Sequence, residues 1–88
     1  MKKLEKILGF IDAANEYEIR QMLFSIVGWK VFVSRSETIL RRDTALALYS
    51  RMQSNEAGAL EHSREFLHQV AQDQQTELGE LIDRIVRK

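Results

Sequence analysis

The fold of this chain is decided by residues 22–33, which read Met22-Leu-Phe-Ser-Ile-Val-Gly-Trp-Lys-Val-Phe-Val33. Drawn as a helix, this stretch is apolar on nearly every side, and such a helix must be covered on every side. Its 12 residues are too few for a membrane span, which takes about 20. We therefore predict a buried helix that runs to about Val33. A helix ending at Gly28, followed by a short β-branched strand over 29–33, is the alternative.

Amphipathic spacing predicts a helix on the N-terminal side of this stretch. Over residues 2–14, apolar side chains recur three and four positions apart, as in a helix with one buried face. They are Leu4, Ile7, Leu8, Ile11 and Ala14. Asn15 is a good helix N-cap, and Glu18 three residues later completes a capping box. The second helix is therefore predicted to begin at Asn15 and to run into the apolar stretch.

Two further helices are predicted on the C-terminal side. The third begins either at Ser34, with Glu37 three residues later, or at Asp43. A turn is expected over residues 54–58, which are the weakest helical stretch of the second half. The last helix is predicted to run from about Glu56 to Val86. At 1.5 Å per residue it would be about 45 Å long, which is too long for a compact bundle of this size to cover.

The composition excludes several classes of protein. The 88 residues contain no Cys, which excludes a disulfide scaffold, a Cys-based zinc site and a thiol nucleophile. They also contain no Pro, which is typical of long uninterrupted elements.

We predict an all-α fold of three or four helices with a long C-terminal helix. It forms a single helical domain over residues 1–88 and assembles as a homo-oligomer.

Self-association is predicted from the apolar stretch and from the length of the last helix. One small domain cannot easily cover either of them, whereas a second subunit can. Trp, Phe and Met are favoured at the centres of protein interfaces. We therefore predict an interface formed by Met22, Phe24, Trp29 and Phe32.

The charge is unevenly spread, although 13 basic residues balance 13 acidic ones. Residues 29–52 hold five Lys and Arg against two acids, giving +3, and residues 53–88 hold four against seven, giving −3. In one interpretation the basic middle packs near the acidic C-terminal part, within the chain or across an interface. In the other, arginine forks bind an anion such as phosphate. The anion-binding candidates are Lys30, Arg35, Arg41 and Arg42.

No catalytic constellation is evident in the sequence. Glu65-Phe-Leu-His68 is a Glu-x-x-His motif, which can hold a metal in a carboxylate-bridged bundle. Such a site needs a second copy of the motif and two further inward-facing Glu, and the chain has no second copy. A Gly-rich phosphate loop and a nucleophile elbow are also absent from the sequence. We expect a protein that is not an enzyme and that carries no metal or cofactor.

These features predict a small non-catalytic helical protein that acts by binding. It would be a self-associating adaptor, regulator or inhibitor, with itself and another protein as partners. A cytoplasmic bacterial or phage accessory protein that does not bind membranes would fit this description. The alternative is a nucleic-acid-binding regulator, or a binder of a phosphorylated small ligand, that uses the Arg-rich region 30–51.

Overall fold

The structure is a computed structural model that describes residues 2–29 and 35–87, with side chains over 3–29 and 41–87. Five α-helices form within these ranges. They are α1 (Lys2–Ala13), α2 (Glu16–Val27), α3 (Arg35–Gln53), α4 (Ala59–Asp73) and α5 (Gln75–Val86). No strand occurs within these ranges. The predicted all-α class is confirmed, but the described residues form five helices rather than three or four.

The capping box predicted at Asn15 starts α2. The backbone N–H of Glu18 donates to Asn15 Oδ1 at 2.8 Å, and the backbone N–H of Asn15 donates to Glu18 Oε1 at 3.0 Å. Asn15 is itself extended, with φ −80° and ψ 174°. The reciprocal bonds satisfy two N–H groups that the first turn of a helix leaves without backbone partners.

The second helix ends at Val27, so the predicted continuation to Val33 is wrong at Gly28 and Trp29. The backbone N–H of Gly28 donates to the Ser25 carbonyl at 3.1 Å, and that of Trp29 donates to the Ile26 carbonyl at 3.0 Å. These bonds tighten the last turn and close the helix. Glycine has a low helix propensity, which favours an end at this point. Residues 30–34, and with them most of the alternative strand, lie outside the described residues.

The C-terminal helix predicted from Glu56 to Val86 is two helices, so that prediction is wrong. The expected turn over 54–58 is confirmed, with positive φ at Asn55 (54°) and Gly58 (81°), and α4 begins after it. The chain leaves helical geometry again at Gln74, where φ is −131° and ψ is 53°. Both α4 and α5 contact α1 and α2. The break therefore removes the overlong helix from which assembly was predicted.

Two arginines close the C-terminal ends of the first two helices. Arg64 in α4 donates from Nη2 to the Ala14 carbonyl at 2.7 Å and from Nε to the Ile11 carbonyl at 3.2 Å. Arg42 in α3 donates from Nε to the Val27 carbonyl at 2.7 Å. A cation at the C-terminal end also complements the helix macrodipole. Long-range contacts therefore stabilise the ends of α1 and α2.

A single cluster of buried apolar side chains, drawn from all five helices, forms the core. Its largest fully buried members are Ile11, Ile19, Met22, Leu23, Ile26, Leu67, Val70 and Leu78. The radius of gyration is 12.1 Å, close to the value of about 12 Å expected for a folded domain of this length. One chain thus reaches ordinary compactness, and assembly stays a prediction.

Candidate protein-interaction surface

The second helix has two apolar faces. Ile19, Met22 and Ile26 lie on the inner face and have no exposed surface. Tyr17 and Phe24, which are seven residues apart and therefore share a stripe of the helix, lie on the outer face. Their exposed fractions are 60% and 65%. Apolar residues thus continue onto a surface that the chain itself does not cover.

The third helix supplies the other half of this exposed surface. The rings of Phe24 and Tyr49 contact each other, with centroids 5.6 Å apart and planes at 46°. Further along α2, the Val27 carbonyl accepts a hydrogen bond from Arg42, which precedes Tyr49 in α3. Because later residues of α2 contact earlier residues of α3, the two helices run antiparallel. Leu46, one helical turn from Tyr49, is 51% exposed. We call Tyr17, Phe24, Leu46 and Tyr49 the α2–α3 face.

Glutamine side chains fix the two tyrosines of the α2–α3 face. Gln21 Nε2 donates to the Tyr17 hydroxyl oxygen at 3.0 Å, and Gln53 Nε2 donates to that of Tyr49 at 3.3 Å. Each pair is four residues apart on one helix, so both side chains lie on the same side of it. Each hydrogen bond restrains a tyrosine ring against its own helix, and part of each ring surface stays exposed.

An acidic hollow lies at one end of the hairpin, where α2 begins beside the turn after α3. It has a volume of about 120 Å³. Its lining residues are Glu16, Met52, Asn55, Glu56, Ala59 and Leu60. The side chains of Glu16 and Glu56 are 59% and 54% exposed. Arg20 Nη1 lies 4.0 Å from Glu16 Oε2, and Arg51 Nε lies 3.2 Å from Glu56 Oε2. Both carboxylates that border the hollow are thus already paired with arginines of the same chain.

The predicted anion-binding residues are partly engaged within the chain. The guanidinium of Arg41 is paired with the Asp73 carboxylate at the end of α4, and its side chain is only 14% exposed. Arg42 is exposed and donates to the Val27 carbonyl. Lys30 and the side chain of Arg35 lie outside the described residues. The Arg41–Asp73 pair joins the basic middle of the chain to its acidic C-terminal part, as the first interpretation of the charge pattern expected.

The predicted interface residues fall in different places. Met22 is fully buried in the core of one chain, and Phe24 lies on the α2–α3 face. Trp29 is half-buried against the core and lines a separate hollow of about 140 Å³ with α5 residues. Phe32 lies outside the described residues. Tyr17 was not among the predicted interface residues, although its spacing of seven residues from Phe24 was visible in the sequence. Leu46 and Tyr49 gave no local signal, because α3 meets α2 only in the folded chain.

The Glu-x-x-His motif serves a structural contact in this fold. His68 Nε2 lies 2.8 Å from Asp12 Oδ1, which joins α4 to α1, and Glu65 is exposed. On α4, His62 Nδ1 lies 2.9 Å from Arg51 Nη2. Across residues 3–29 and 41–87, whose side chains the structure describes, no three His, Asp or Glu side chains are placed to share a metal ion.

Among the described helices, none combines the length and the apolar character needed to span a bilayer.

The candidate site is the α2–α3 face, on which Tyr17, Phe24 and Leu46 are more than half exposed. Comparison of the chain with protein-family models, with curated proteins and with solved structures finds no match.

Proposed function

We propose that this chain is a non-catalytic protein-binding module that works through the α2–α3 face. It acts as a self-associating adaptor, regulator or inhibitor of another protein. One observation carries the proposal: Tyr17, Phe24 and Leu46 are each more than half exposed on one pair of adjacent helices. Tyr49 adds a fourth apolar side chain by its contact with Phe24.

The size of the exposed surface supports a binding role. Together these side chains present roughly 300 Å² of apolar surface, which is in the range where patches on single chains are often functional. A standard interface covers about 800 Å² on each partner. The apolar residues would therefore form the centre of an interface, and polar groups around them would supply the rest.

The anion-binding alternative has less support from the geometry. A residue that recognises phosphate must present its guanidinium to solvent, and Arg41 instead pairs with Asp73. Arg42 has committed one of its nitrogens to the end of α2. No described contact favours a nucleic-acid ligand over a protein, so we retain that ligand only as an outcome of the experiment.

The test is the molar mass in solution of the wild type and of a matched pair of variants. Leu46→Glu places a charge in the α2–α3 face, and Ala47→Glu places the same charge at the next exposed position of α3. We expect the wild type to have the mass of a dimer or larger at about 100 µM. Leu46→Glu should raise the dissociation constant at least tenfold, because a buried carboxylate without a partner costs more than about 1.4 kcal/mol. Ala47→Glu should leave the mass unchanged.

Light scattering, with the 260/280 nm absorbance ratio read on the same peak, gives the answer. A wild type that stays monomeric at every concentration would overturn self-association through this face. Equal masses for the two variants would show that the face is not the contact. A peak that carries nucleic acid, with a strong salt dependence, would favour the alternative function.

A further inference from the structure

A hollow between α1 and α5 lies apart from the α2–α3 face. Its volume is about 260 Å³, which is larger than the hollow of about 140 Å³ that Trp29 lines. Concave sites with an apolar lining and a few polar groups are where proteins bind small molecules. We call it the α1–α5 hollow; α1 lines it with Lys3, Lys6 and Ile7, and α5 lines it with Gly79, Glu80 and Asp83.

The floor of the α1–α5 hollow is apolar and is left open by a glycine. Ile7 and Ile82 line the hollow and are buried. Gly79 lies inside α5, where glycine is disfavoured relative to alanine. A Cβ at Gly79 would lie 3.5 Å from Ile7 Cδ1 and 3.6 Å from Lys3 Cε, which is ordinary van der Waals contact. Close packing of the two helices therefore does not require the glycine, and its effect is to leave the floor without a side chain.

The two walls of the α1–α5 hollow carry opposite charge. On α1, Lys3 and Lys6 are three residues apart and share one side of the helix. On α5, Glu80 and Asp83 have the same spacing. Within residues 3–29 and 41–87, none of these four side chains forms an ion pair or a hydrogen bond. Two ammonium groups and two carboxylates therefore border one hollow with their bonding capacity unused, unlike the carboxylates of the acidic hollow, which are paired with arginines.

These groups select a ligand that carries both charges. A simple anion would be attracted by the lysines and repelled by the carboxylates, and a simple cation would meet the reverse. A zwitterion can form charge-assisted hydrogen bonds with both walls, and an apolar side chain on it would cover the isoleucine floor. The volume of about 260 Å³ lies below the range of about 300–1,000 Å³ that is typical for drug-sized ligands. A free amino acid suits this volume better than a nucleotide does.

We infer that the α1–α5 hollow binds a free α-amino acid with an apolar side chain. The carboxylate of the ligand bonds Lys3 and Lys6, and its ammonium group bonds Glu80 and Asp83. The α2–α3 face contains no residue of α1 or α5, so the inference does not depend on the proposed function. It adds a small-molecule ligand to a chain whose other surface is proposed to bind protein.

Three matched probes test the chemical class of the ligand. L-Leucine carries both charged groups on a branched apolar body. Isocaproate is the same molecule without the amine, and isoamylamine is the same molecule without the carboxylate. In nitrogen–proton correlation NMR spectra of the full chain, millimolar L-leucine should cause saturable shifts of amide signals around the hollow. Each truncated probe should bind at least tenfold more weakly, because it leaves one charged wall without a partner.

A pair of glycine variants tests the location of the site. Gly79→Gln extends an uncharged side chain into the hollow and should abolish L-leucine binding. Gly9→Gln makes the same change outside the hollow, at a position of α1 where a Cβ meets nothing within 4 Å, and should leave binding unchanged. Glutamine is the better helix former, so both variants should stay helical. Circular dichroism checks this.

Neutral variants of each wall test the assignment of the charges, and they do so even if Gly79→Gln fails to fold. The double variant Lys3→Gln plus Lys6→Gln should bind L-leucine at least tenfold more weakly and isoamylamine more tightly than the wild type. The double variant Glu80→Gln plus Asp83→Asn should also bind L-leucine more weakly, but isocaproate more tightly. All four side chains are exposed, and a gain in affinity for a truncated probe cannot result from unfolding.

The outcomes separate this inference from the proposed function. Absence of a saturable shift with L-leucine would overturn it, and so would equal losses of binding in Gly79→Gln and Gly9→Gln. Equal affinities for L-leucine and isocaproate would show a simple anion site and overturn the zwitterion class. Leu46→Glu, which tests the α2–α3 face, should leave L-leucine binding unchanged. A monomeric wild type that binds L-leucine would therefore overturn self-association alone.

Discussion

The inner and outer faces of α2 are both apolar, yet they have different surroundings. Ile19, Met22 and Ile26 on the inner face belong to the core, where α2 contacts α3, α4 and α5, and they have no exposed surface. Tyr17 and Phe24 on the outer face are more than half exposed and lie beside α3 residues. The hydrophobicity of a helix therefore does not reveal which residues are free for a partner. The direction in which each side chain leaves the helix does.

The largest effect should come from the inner face. Ile26→Ala removes buried methyl groups from a position with no exposed surface, and we expect the free energy of unfolding to fall by about 2–5 kcal/mol. Urea denaturation of the wild type and the variant measures the difference. Ile26→Val should cost only about 0.5–1.5 kcal/mol. A loss below about 1 kcal/mol for Ile26→Ala would contradict the assignment of this face to the core.

Local sequence signals predicted the start of α2 well and its end poorly. The capping box needs only Asn15 and Glu18, three residues apart, and both bonds are present. At the end of α2, Gly28 was a visible stop signal and the helix does end there, but the apolar residues after it favoured a longer helix. The Val27 carbonyl also accepts a hydrogen bond from Arg42, fifteen residues further along the chain, and no local pattern announced that contact.

The break at Gln74 shows the same limit in the C-terminal half. The polar residues around it were visible in the sequence, but apolar spacing on both sides favoured one continuous helix. In the structure Gln74 is buried, and its Nε2 donates to Glu77 Oε1 at 3.0 Å in the first turn of α5. Packing of both α4 and α5 on α1 compensates for the lost helical bonds. Tertiary packing overrode the helical pattern at this position.

The candidate surface was predictable only in part, for a related reason. Phe24 was selected because its residue type is favoured at interfaces, and it lies on the exposed face. Met22 was selected on the same ground and lies in the core. Leu46 and Tyr49 belong to the surface because α3 runs antiparallel to α2. A single sequence does not reveal that pairing, since it joins positions about 25 residues apart.

An intermediate effect should come from the end of α2 that both faces share. Asn15→Ala removes the side-chain acceptor for the Glu18 N–H and one half of the capping box. The expected loss in the free energy of unfolding is about 1 kcal/mol. Asn15→Asp keeps an acceptor oxygen at the helix start and should be nearly neutral. Thermal unfolding followed by circular dichroism compares the three proteins. Equal losses for Ala and Asp would show that the cap does not stabilise α2.

The smallest effect on the isolated chain should come from the outer face. Phe24→Ala deletes a ring that is 65% exposed and contacts Tyr49, but alanine also has the higher helix propensity. At a dilution where the chain is monomeric, these effects should cancel to within about 0.5 kcal/mol. If the chain self-associates as proposed, the wild type should gain stability at high concentration by mass action, and Phe24→Ala should lose most of that gain. Urea unfolding at two protein concentrations measures both quantities. A concentration-independent wild-type midpoint, or a large loss in the dilute variant, would show that Phe24 stabilises the single chain rather than an interface.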